Sequence, residues 1–282
     1  MASYINTNLA SLQTQRNLST SQAKLQTSIE RLSSGLRVNS AKDDAAGFAI
    51  ASGMDSKIRG QNVAIRNAND AISLSQTADG ALGKMSDNLQ RMRELAVQAS
   101  NDTNSDDDRS KLNNEFSQLQ DEITRVTQNT KFNGKNLLTT ASGTQFTFQI
   151  GDGTGTDNQI TLDVKDFGAN GGSDTASAID SNTVKIDTLS GASSAMDAID
   201  KALKEINSAS INQGALQNRL TSTISTLQVS VENQTAAKSR ITDTDFASET
   251  ANMSRGQILQ QAGMAMLSQA NQLPNGVMAL LR

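Results

Sequence analysis

The side chains that most often perform catalysis or bind metal are missing from this 282-residue chain, which contains no histidine and no cysteine. Histidine is the commonest general base and metal ligand. Cysteine supplies thiolate nucleophiles, disulfides and zinc ligands. Three segments remain as candidates for chemistry: Asp43-Asp44, the polar run that begins at Asn101, and the glycine-rich residues 151–155.

Each of these segments fits a structural role better than a chemical one. Asp43-Asp44 has no partner base, so we expect a helix cap, worth about 0.5–2 kcal/mol. Residues 101–113 resemble a calcium loop, but Asp107 replaces its glycine and Asn113 its closing glutamate, which favours an interhelical turn. Residues 151–155 precede a strand rather than the helix that a phosphate loop needs, so they predict a hairpin turn. The sequence therefore predicts no catalytic, metal or cofactor-binding residues.

Composition narrows the function further. A net charge of −4 and 3% aromatic residues argue against a nucleic-acid partner. Residues 1–15 and 256–281 carry no charged side chain, yet seven amides in the second stretch argue against a membrane-embedded helix. The N-terminus shows neither a basic nor a continuous apolar region, so no cleavable secretory signal is predicted. Uncharged, amide-rich ends are expected to be buried against each other and against neighbouring copies, which favours assembly over catalysis.

Apolar spacing predicts long helices, and Pro274 is the one proline of the chain. In the N-terminal helix the spacing of 4 and 3 shifts in phase between Leu12 and Leu18. A second helix is predicted from about Ala45, and a third after the polar run that ends at Asp108. Helical spacing in the C-terminal part resumes after a region of different period.

That region is predicted to be β structure, because apolar and polar residues alternate there. The alternating apolar residues are Phe146, Phe148 and Ile150, then Ile160, Leu162 and Val164. Val184-Lys185-Ile186 is predicted to add a short strand, and helical spacing resumes at Met196. We expect a mainly α fold, a long antiparallel helical coiled-coil rod with a small β-hairpin region.

Several short motifs resemble those of bacterial flagellin, in the same order along the chain. They are Ile5-Asn6-Thr7-Asn8, SSGLRVN at 33–39, SAKDDAAG at 40–47, LQRMRELAVQ at 89–98, Phe132-Asn133-Gly134 and Leu280-Leu281-Arg282. The resemblance covers roughly residues 1–140 and 190–282. It implies the D0/D1 architecture: an N-terminal D0 helix and spoke in 1–44, D1 helices and hairpin region in 45–190, a C-terminal D1 helix in 191–239 and a C-terminal D0 helix in 240–282. With so short a middle, we expect no folded outer domain.

The resemblance implies a subunit that polymerises into the extracellular flagellar filament and is exported unfolded by the flagellar type III apparatus. Implied partners are further copies of the chain, an export chaperone at the C-terminal region, filament cap and hook-junction proteins, and host innate immune receptors. A Toll-like receptor senses flagellins through D1, where the matching positions Arg91, Leu95, Gln98 and Glu115 also pack subunits together.

The terminal helices of flagellins line the inner tube of the filament. The residues that we expect in this filament-core seam are Ile5, Leu9, Leu12, Leu25, Ile29, Leu32, Leu259, Ala262, Met266, Leu273 and Leu280. Pro274 is expected to perturb the seam near its end.

Three alternative functions match parts of the sequence. A hook–filament junction protein shares flagellin-like ends and is the closest rival. An enzyme displayed on a flagellin scaffold is disfavoured, because the zinc protease known from that arrangement needs histidine ligands. A coiled-coil secretion component is disfavoured by the hairpin and by the order of the motifs.

Overall fold

The computed structural model describes residues 7–139, 145–163, 165–168, 175, 178, 180 and 183–279, with side chains described as far as Gln272. The helices are α1 (Leu9–Ser34), α2 (Ala45–Ala99), α3 (Asp106–Asn129), α4 (Leu189–Thr242) and α5 (Phe246–Ala279). The strands are β1 (Lys131–Phe132), β2 (Lys135–Asn136), β3 (Gln145–Gln149) and β4 (Gln159–Asp163). The prediction of a mainly α fold with a small hairpin region is confirmed.

The chain divides into two compact units. The terminal unit consists of residues 1–58 and 232–282, and the central unit of residues 59–231. Helices α2 and α4 contribute to both. Among the described residues, no helix combines the length and apolar character needed to cross a bilayer.

The core of the central unit lies between α2, α3 and α4, where the predicted apolar spacing becomes a continuous buried face. Its largest fully buried side chains include Leu82, Met85, Leu89, Met92, Leu95, Phe116 and Ile123. Ile199, Ile206 and Leu220 of α4 complete it. The two long helices run antiparallel, since Ser75 bonds Gln213 while Arg93 bonds Asp200. Periodicity of 3.6 residues thus predicts this core correctly.

The predicted hairpin is confirmed as the antiparallel pair β3–β4, in which Phe146 faces Leu162 and Phe148 faces Ile160. Val164 of the prediction lies outside the described residues. A second, smaller hairpin joins β1 to β2 through Asn133 (φ 47°) and Gly134 (φ 78°). An Asn-Gly dipeptide favours a two-residue turn with left-handed backbone at both positions. This dipeptide was the sequence signal for a hairpin that apolar periodicity did not predict.

The short strand predicted at Val184-Lys185-Ile186 is wrong, because α3 binds this backbone instead of a neighbouring strand. The Ile186 amide donates to the Asn113 side chain (2.9 Å), and the Gln120 amide nitrogen donates to the Val184 carbonyl (3.2 Å). Ile186 is fully buried beneath this contact. Side-chain amides on a helix have satisfied the backbone groups that a ladder would otherwise pair.

The polar turn between α2 and α3 is organised by a buried arginine. The Arg109 guanidinium donates to the Ala99 carbonyl (3.1 Å) and the Asn101 carbonyl (3.3 Å), which closes the end of α2. Ser105 caps α3 by accepting from the Asp108 amide, and three aspartates occupy the first turn of the helix. The turn therefore has the capping role expected from the sequence.

In the linker that precedes α2, Asp44 caps the helix and Asp43 closes the turn before it. Asp44 accepts a hydrogen bond from the Gly47 amide (2.9 Å) at the start of the helix. The Asp43 carboxylate accepts from the amides of Asn39 and Ser40 and from the Ser40 hydroxyl. The bond from the Ser40 amide is the main reason that the pKa of Asp43 is lowered. Both carboxylates are structural.

This lowered pKa predicts a pH-dependent contribution to stability. The ionised Asp43 is favoured in the folded chain, so its stabilisation is fully present above the ordinary Asp pKa near 3.8 and is lost as pH falls through the lower folded pKa. We expect Asp43→Ala to lower the urea midpoint at pH 7 and to have a diminishing effect below pH 3.8. Lys42→Ala, at the next exposed position, is the control. A difference between Asp43→Ala and the parent chain that is constant from pH 7 to pH 2.5 would contradict this assignment.

Candidate assembly surfaces

Helices α1 and α5 of the terminal unit pack against each other in antiparallel orientation. The Asn8 side chain donates to the Ala270 carbonyl (2.8 Å), and the Ser11 hydroxyl donates to the Asn271 side chain (2.7 Å). At the other end, Arg31 and Glu249 form an ion pair of 3.9 Å. We call this contact the intrachain seam. It gives the uncharged ends of the chain the mutual burial expected from the sequence.

The intrachain seam is narrow because α5 contributes small residues at intervals of seven: Gly256, Gly263 and Ala270. A Cβ atom at Gly256 would lie 3.2 Å from Cβ of Leu25, and one at Gly263 would lie 3.0 Å from Cδ1 of Leu18. Glycine thus lets the backbone of α5 approach the leucines of α1 closely. This heptad of small residues was visible in the sequence, but a search for apolar stripes passed over it.

On α1 the intrachain seam follows Ser11, Leu18, Leu25 and Leu32 without interruption. The predicted phase shift between Leu12 and Leu18 is therefore wrong. The prediction joined Leu9 and Leu12 to Leu18 in one seam across that shift, whereas the residue buried at this end of the intrachain seam is Ser11. A small hydroxyl side chain satisfied by Asn271 packs where an apolar one was expected.

Most residues predicted for the filament-core seam lie outside the intrachain seam. Leu25 and Leu32 are half-buried in it. The exposed members are Leu9 (62% exposed), Leu12, Ile29, Leu259, Ala262 and Met266 (58% exposed). Ile5, Leu280 and the side chain of Leu273 fall outside the described residues. The structure thus separates the predicted seam into a part used within the chain and a larger part left open.

The open part forms a regular surface on α5. Leu259, Ala262 and Met266 follow one another at spacings of 3 and 4 and lie about a quarter turn around the helix from the intrachain seam. We call these three residues the outer stripe. Leu9 and Leu12 provide an exposed apolar surface at the start of α1. An uncharged helix with an uncovered apolar stripe is a typical surface for a partner helix.

The second candidate surface lies on the central unit, where α2 and α3 meet. Nε and Nη2 of Arg91 donate to Oε1 of Glu115 at 3.0 and 2.8 Å, and Nη1 donates to Glu94 at 3.0 Å. The bond to Glu115, followed by that to Glu94, raises the pKa of Arg91 above its usual range. The ion pairs fix the guanidinium at the surface. The structure therefore brings together Arg91 and Glu115 as expected.

The other two predicted residues of this surface differ in position. Gln98 is exposed and lies about two turns after Arg91 on α2. Leu95 is 1% exposed and packs in the core of the central unit. In this fold Leu95 supports the surface from beneath, and the groups available to a partner are Arg91, Gln98 and Glu115.

Comparison with known proteins decides the family. The model of the bacterial flagellin N-terminal helical region matches residues 5–142, and that of the bacterial flagellin C-terminal helical region matches residues 196–281. The chain is 45% identical to flagellin of Halalkalibacterium halodurans over 99% of both chains. The chain belongs to the bacterial flagellin family. It is also 41% identical to flagellin of Bacillus subtilis over 99% of both chains.

Among solved structures, the fold resembles that of a putative flagellar hook-associated protein from Vibrio parahaemolyticus. The TM-score is 0.57 at 15% identity, with 71% of this chain and 100% of the other covered, so the likeness concerns the fold alone. Membership of the flagellin family makes the chain a structural subunit that polymerises in many copies into the bacterial flagellar filament. Flagellins are structural proteins, which agrees with the prediction that the chain is not an enzyme.

The intrachain seam predicts that the size of residue 256 controls the pairing of α1 with α5. In Gly256→Leu the added side chain meets Leu25, and we expect the overpacking to lower the free energy of unfolding by about 1–3 kcal/mol. Urea unfolding followed by circular dichroism, with limited proteolysis of the terminal helices, measures the effect.

Gly53→Leu is the matched control, since a Cβ at Gly53 meets nothing within 4 Å and the residue is an exposed position in a helix of the same unit. Replacing this glycine is expected to be neutral or slightly stabilising. Equal urea midpoints and equal proteolysis rates for the two variants would mean that close approach at Gly256 does not hold the helices together.

Proposed function

We propose that this flagellin polymerises through the surfaces that the intrachain seam leaves open, the outer stripe of α5 and the exposed leucines of α1. The single observation that carries the proposal is that Met266, Leu259 and Leu9 are exposed. Each lies in a segment without charged side chains, either 1–15 or 256–281. A charged group buried at an interface requires a partner, whereas an uncharged apolar stripe requires only a complementary surface. Stacked copies supply that surface.

The balance of free energies favours many shared contacts over a few strong ones. Complete burial of a methionine or leucine side chain contributes about 1.5–3 kcal/mol, so covering the exposed half of Met266 contributes roughly 1 kcal/mol. Because α1 and α5 are already helical and paired in the single chain, association has to offset the loss of rigid-body freedom, about 4–15 kcal/mol, and of side-chain freedom at the interface. One neighbouring copy offers too little burial to offset this cost. A growing polymer that contacts each subunit from several sides can offset it.

We further propose that the chain is exported unfolded by the flagellar type III apparatus and that a chaperone holds its C-terminal region beforehand. The absence of cysteine from the sequence means that no disulfide has to open before unfolding. Ile258 and Met264 add exposed apolar surface elsewhere on α5, outside the outer stripe. An export chaperone that covers these side chains would prevent early assembly. Cap and hook-junction proteins would contact the same terminal helices once the chain is outside the cell.

The surface around Arg91, Gln98 and Glu115 is proposed as the site that a Toll-like receptor senses and as a packing surface between subunits. Arg91 presents a fixed guanidinium, because Glu115 and Glu94 hold it on two sides. A preorganised charged group loses less conformational freedom on binding than a mobile one. If polymerisation covers this surface, the receptor binds the free subunit and not a subunit packed within the filament.

The alternative function is that of a hook–filament junction protein. The similar hook-associated structure supports this alternative only at the level of the fold, since its sequence is 15% identical to that of this chain. The match to flagellin of Halalkalibacterium halodurans is 45% over 99% of both chains. The filament role is therefore favoured.

Met266→Asp tests the outer stripe. An unpaired charge enclosed by neighbouring subunits costs about 3 kcal/mol, so the critical concentration for polymerisation should rise by about a hundredfold or more. The isolated subunit should keep its circular dichroism spectrum, because residue 266 is exposed there. Sedimentation and electron microscopy measure polymerisation.

Met266→Leu is the control for Met266→Asp, since it preserves volume and apolar character, and should still form filaments. The assignment of the outer stripe fails if the aspartate variant assembles at the concentration required by the parent chain.

Arg91→Ala tests the receptor surface. The purified subunit should signal more weakly in cells that carry the receptor, because the guanidinium held by Glu115 is removed. Lys84→Ala is a matched control: it removes a cation from another exposed ion pair of α2, that with Asp87. Equal signalling by the two variants, at equal helicity, would refute a special role for Arg91.

A further inference from the structure

Two methionines of α5 are exposed, whereas the other methionines that the structure describes are buried or half-buried. Met264 is 52% exposed and Met266 is 58% exposed. Met85 and Met92, in the core of the central unit, are 0% exposed. Met54, Met196 and Met253 are half-buried. Access to the thioether sulfur therefore differs sharply along the chain.

The two exposed methionines lie on different sides of the same helix. Residues two positions apart on an α-helix are separated by about 200° around its axis. Met266 belongs to the outer stripe with Leu259 and Ala262, and Met264 projects from the opposite flank of the intrachain seam. Partners that enclose α5 on both flanks would have to cover both sulfurs, whereas α1 leaves both accessible in the single chain.

We infer that Met264 and Met266 are oxidation sites through which hydroperoxides control assembly of the subunit, an inference that rests on the proposed function of the outer stripe. A lone pair of the sulfur attacks one oxygen of hydrogen peroxide, and the O–O bond breaks as the S–O bond forms. The sulfur is oxidised by two electrons to the sulfoxide, the peroxide is reduced, and the second oxygen leaves as water. Each event consumes one peroxide and releases one water.

The product changes the chemistry of the surface rather than its fold. A sulfoxide is polar and accepts hydrogen bonds, whereas the thioether packs as an apolar group. On an exposed helix, water satisfies the new oxygen, so the subunit stays folded. At a closed apolar interface the oxygen has no donor, and burial then carries the cost of an unsatisfied polar group.

The oxidation of methionine to its sulfoxide is reversible. Methionine sulfoxide is reduced enzymatically by reductases specific for its two epimers. The sequence has no cysteine, so peroxide cannot form disulfides or thiol oxidation products in this subunit. Methionine is then the side chain at which mild peroxide acts, and the most exposed methionines in the described part of the chain lie on the helix that is proposed to assemble.

The test begins with the full-length subunit, treated with dilute hydrogen peroxide and analysed by peptide mass spectrometry. We expect Met264 and Met266 to oxidise at least about tenfold faster than Met85 and Met92. Oxidised subunits should show a critical concentration for polymerisation raised by about tenfold or more, equivalent to about 1.4 kcal/mol. Reduction by methionine sulfoxide reductases A and B should restore the original value without any substitution.

Variants assign the effect to residues. The critical concentration of the double variant Met264→Leu/Met266→Leu is measured before and after peroxide, and the two values should be equal. Met54→Leu/Met196→Leu, which removes two half-buried methionines, should stay as sensitive as the parent chain. Peroxide that oxidises both α5 methionines without changing the critical concentration would overturn the inference. So would a double variant of α5 that loses polymerisation on peroxide treatment as the parent does.

The two proposals can fail separately. If Met266→Asp assembles normally without peroxide, the outer stripe itself is misassigned. If Met266→Asp fails to assemble but the oxidised parent chain assembles, the stripe stands and oxidation control falls. Peroxide treatment of finished filaments adds a further check, because enclosed sulfurs should react more slowly than in free subunits. Equal rates in both states would overturn burial of the two methionines on assembly.

Discussion

The close approach of α1 to α5 is the contact on which the terminal unit depends. Gly256 and Gly263 remove the side chains that would keep the helices apart, and Leu25 and Leu18 fill the space. Since α5 packs against α1 along one face, the contact leaves Leu259 and Met266 uncovered. Small residues thus form the contact within the chain, and the larger apolar residues of α5 stay exposed.

The central unit follows the opposite rule. Its helices bury large side chains such as Leu82, Met85 and Phe116 and leave charged pairs at the surface. Arg93 and Asp200 link α2 to α4 across that surface at 2.7 Å, and each shifts the pKa of the other toward its charged form. Such exposed pairs add specificity more than stability. The central unit therefore buries the apolar faces of its helices within the chain, whereas the terminal unit leaves apolar side chains of α1 and α5 exposed.

Sequence reasoning succeeded where one physical signal dominated and failed where two competed. The stripe from Leu82 to Ala96 predicted the buried face of α2, because large apolar residues at helical spacing have one favourable arrangement. On α1, the buried residue at the start of the intrachain seam is Ser11 rather than Leu9 or Leu12, since Asn271 satisfies the Ser11 hydroxyl. The same competition explains Val184 to Ile186, where Asn113 and Gln120 replaced a partner strand. Partners distant in sequence decided each of these cases. Periodicity within a segment carries no information about them.

The amides and hydroxyls of the terminal helices follow from the same division. A helix pair that stays soluble alone and is later enclosed cannot carry many charges, because each would need a partner on burial. It also cannot be uniformly apolar, since a large exposed apolar area would let helices of different chains associate in many alternative alignments. Ser11, Asn8 and Asn271 solve both problems, because they bond within the pair and remain uncharged. Buried polar contacts of this kind favour one alignment of two helices over its neighbours. The hydrogen bonds of the intrachain seam thus fix which face of α5 exposes the outer stripe.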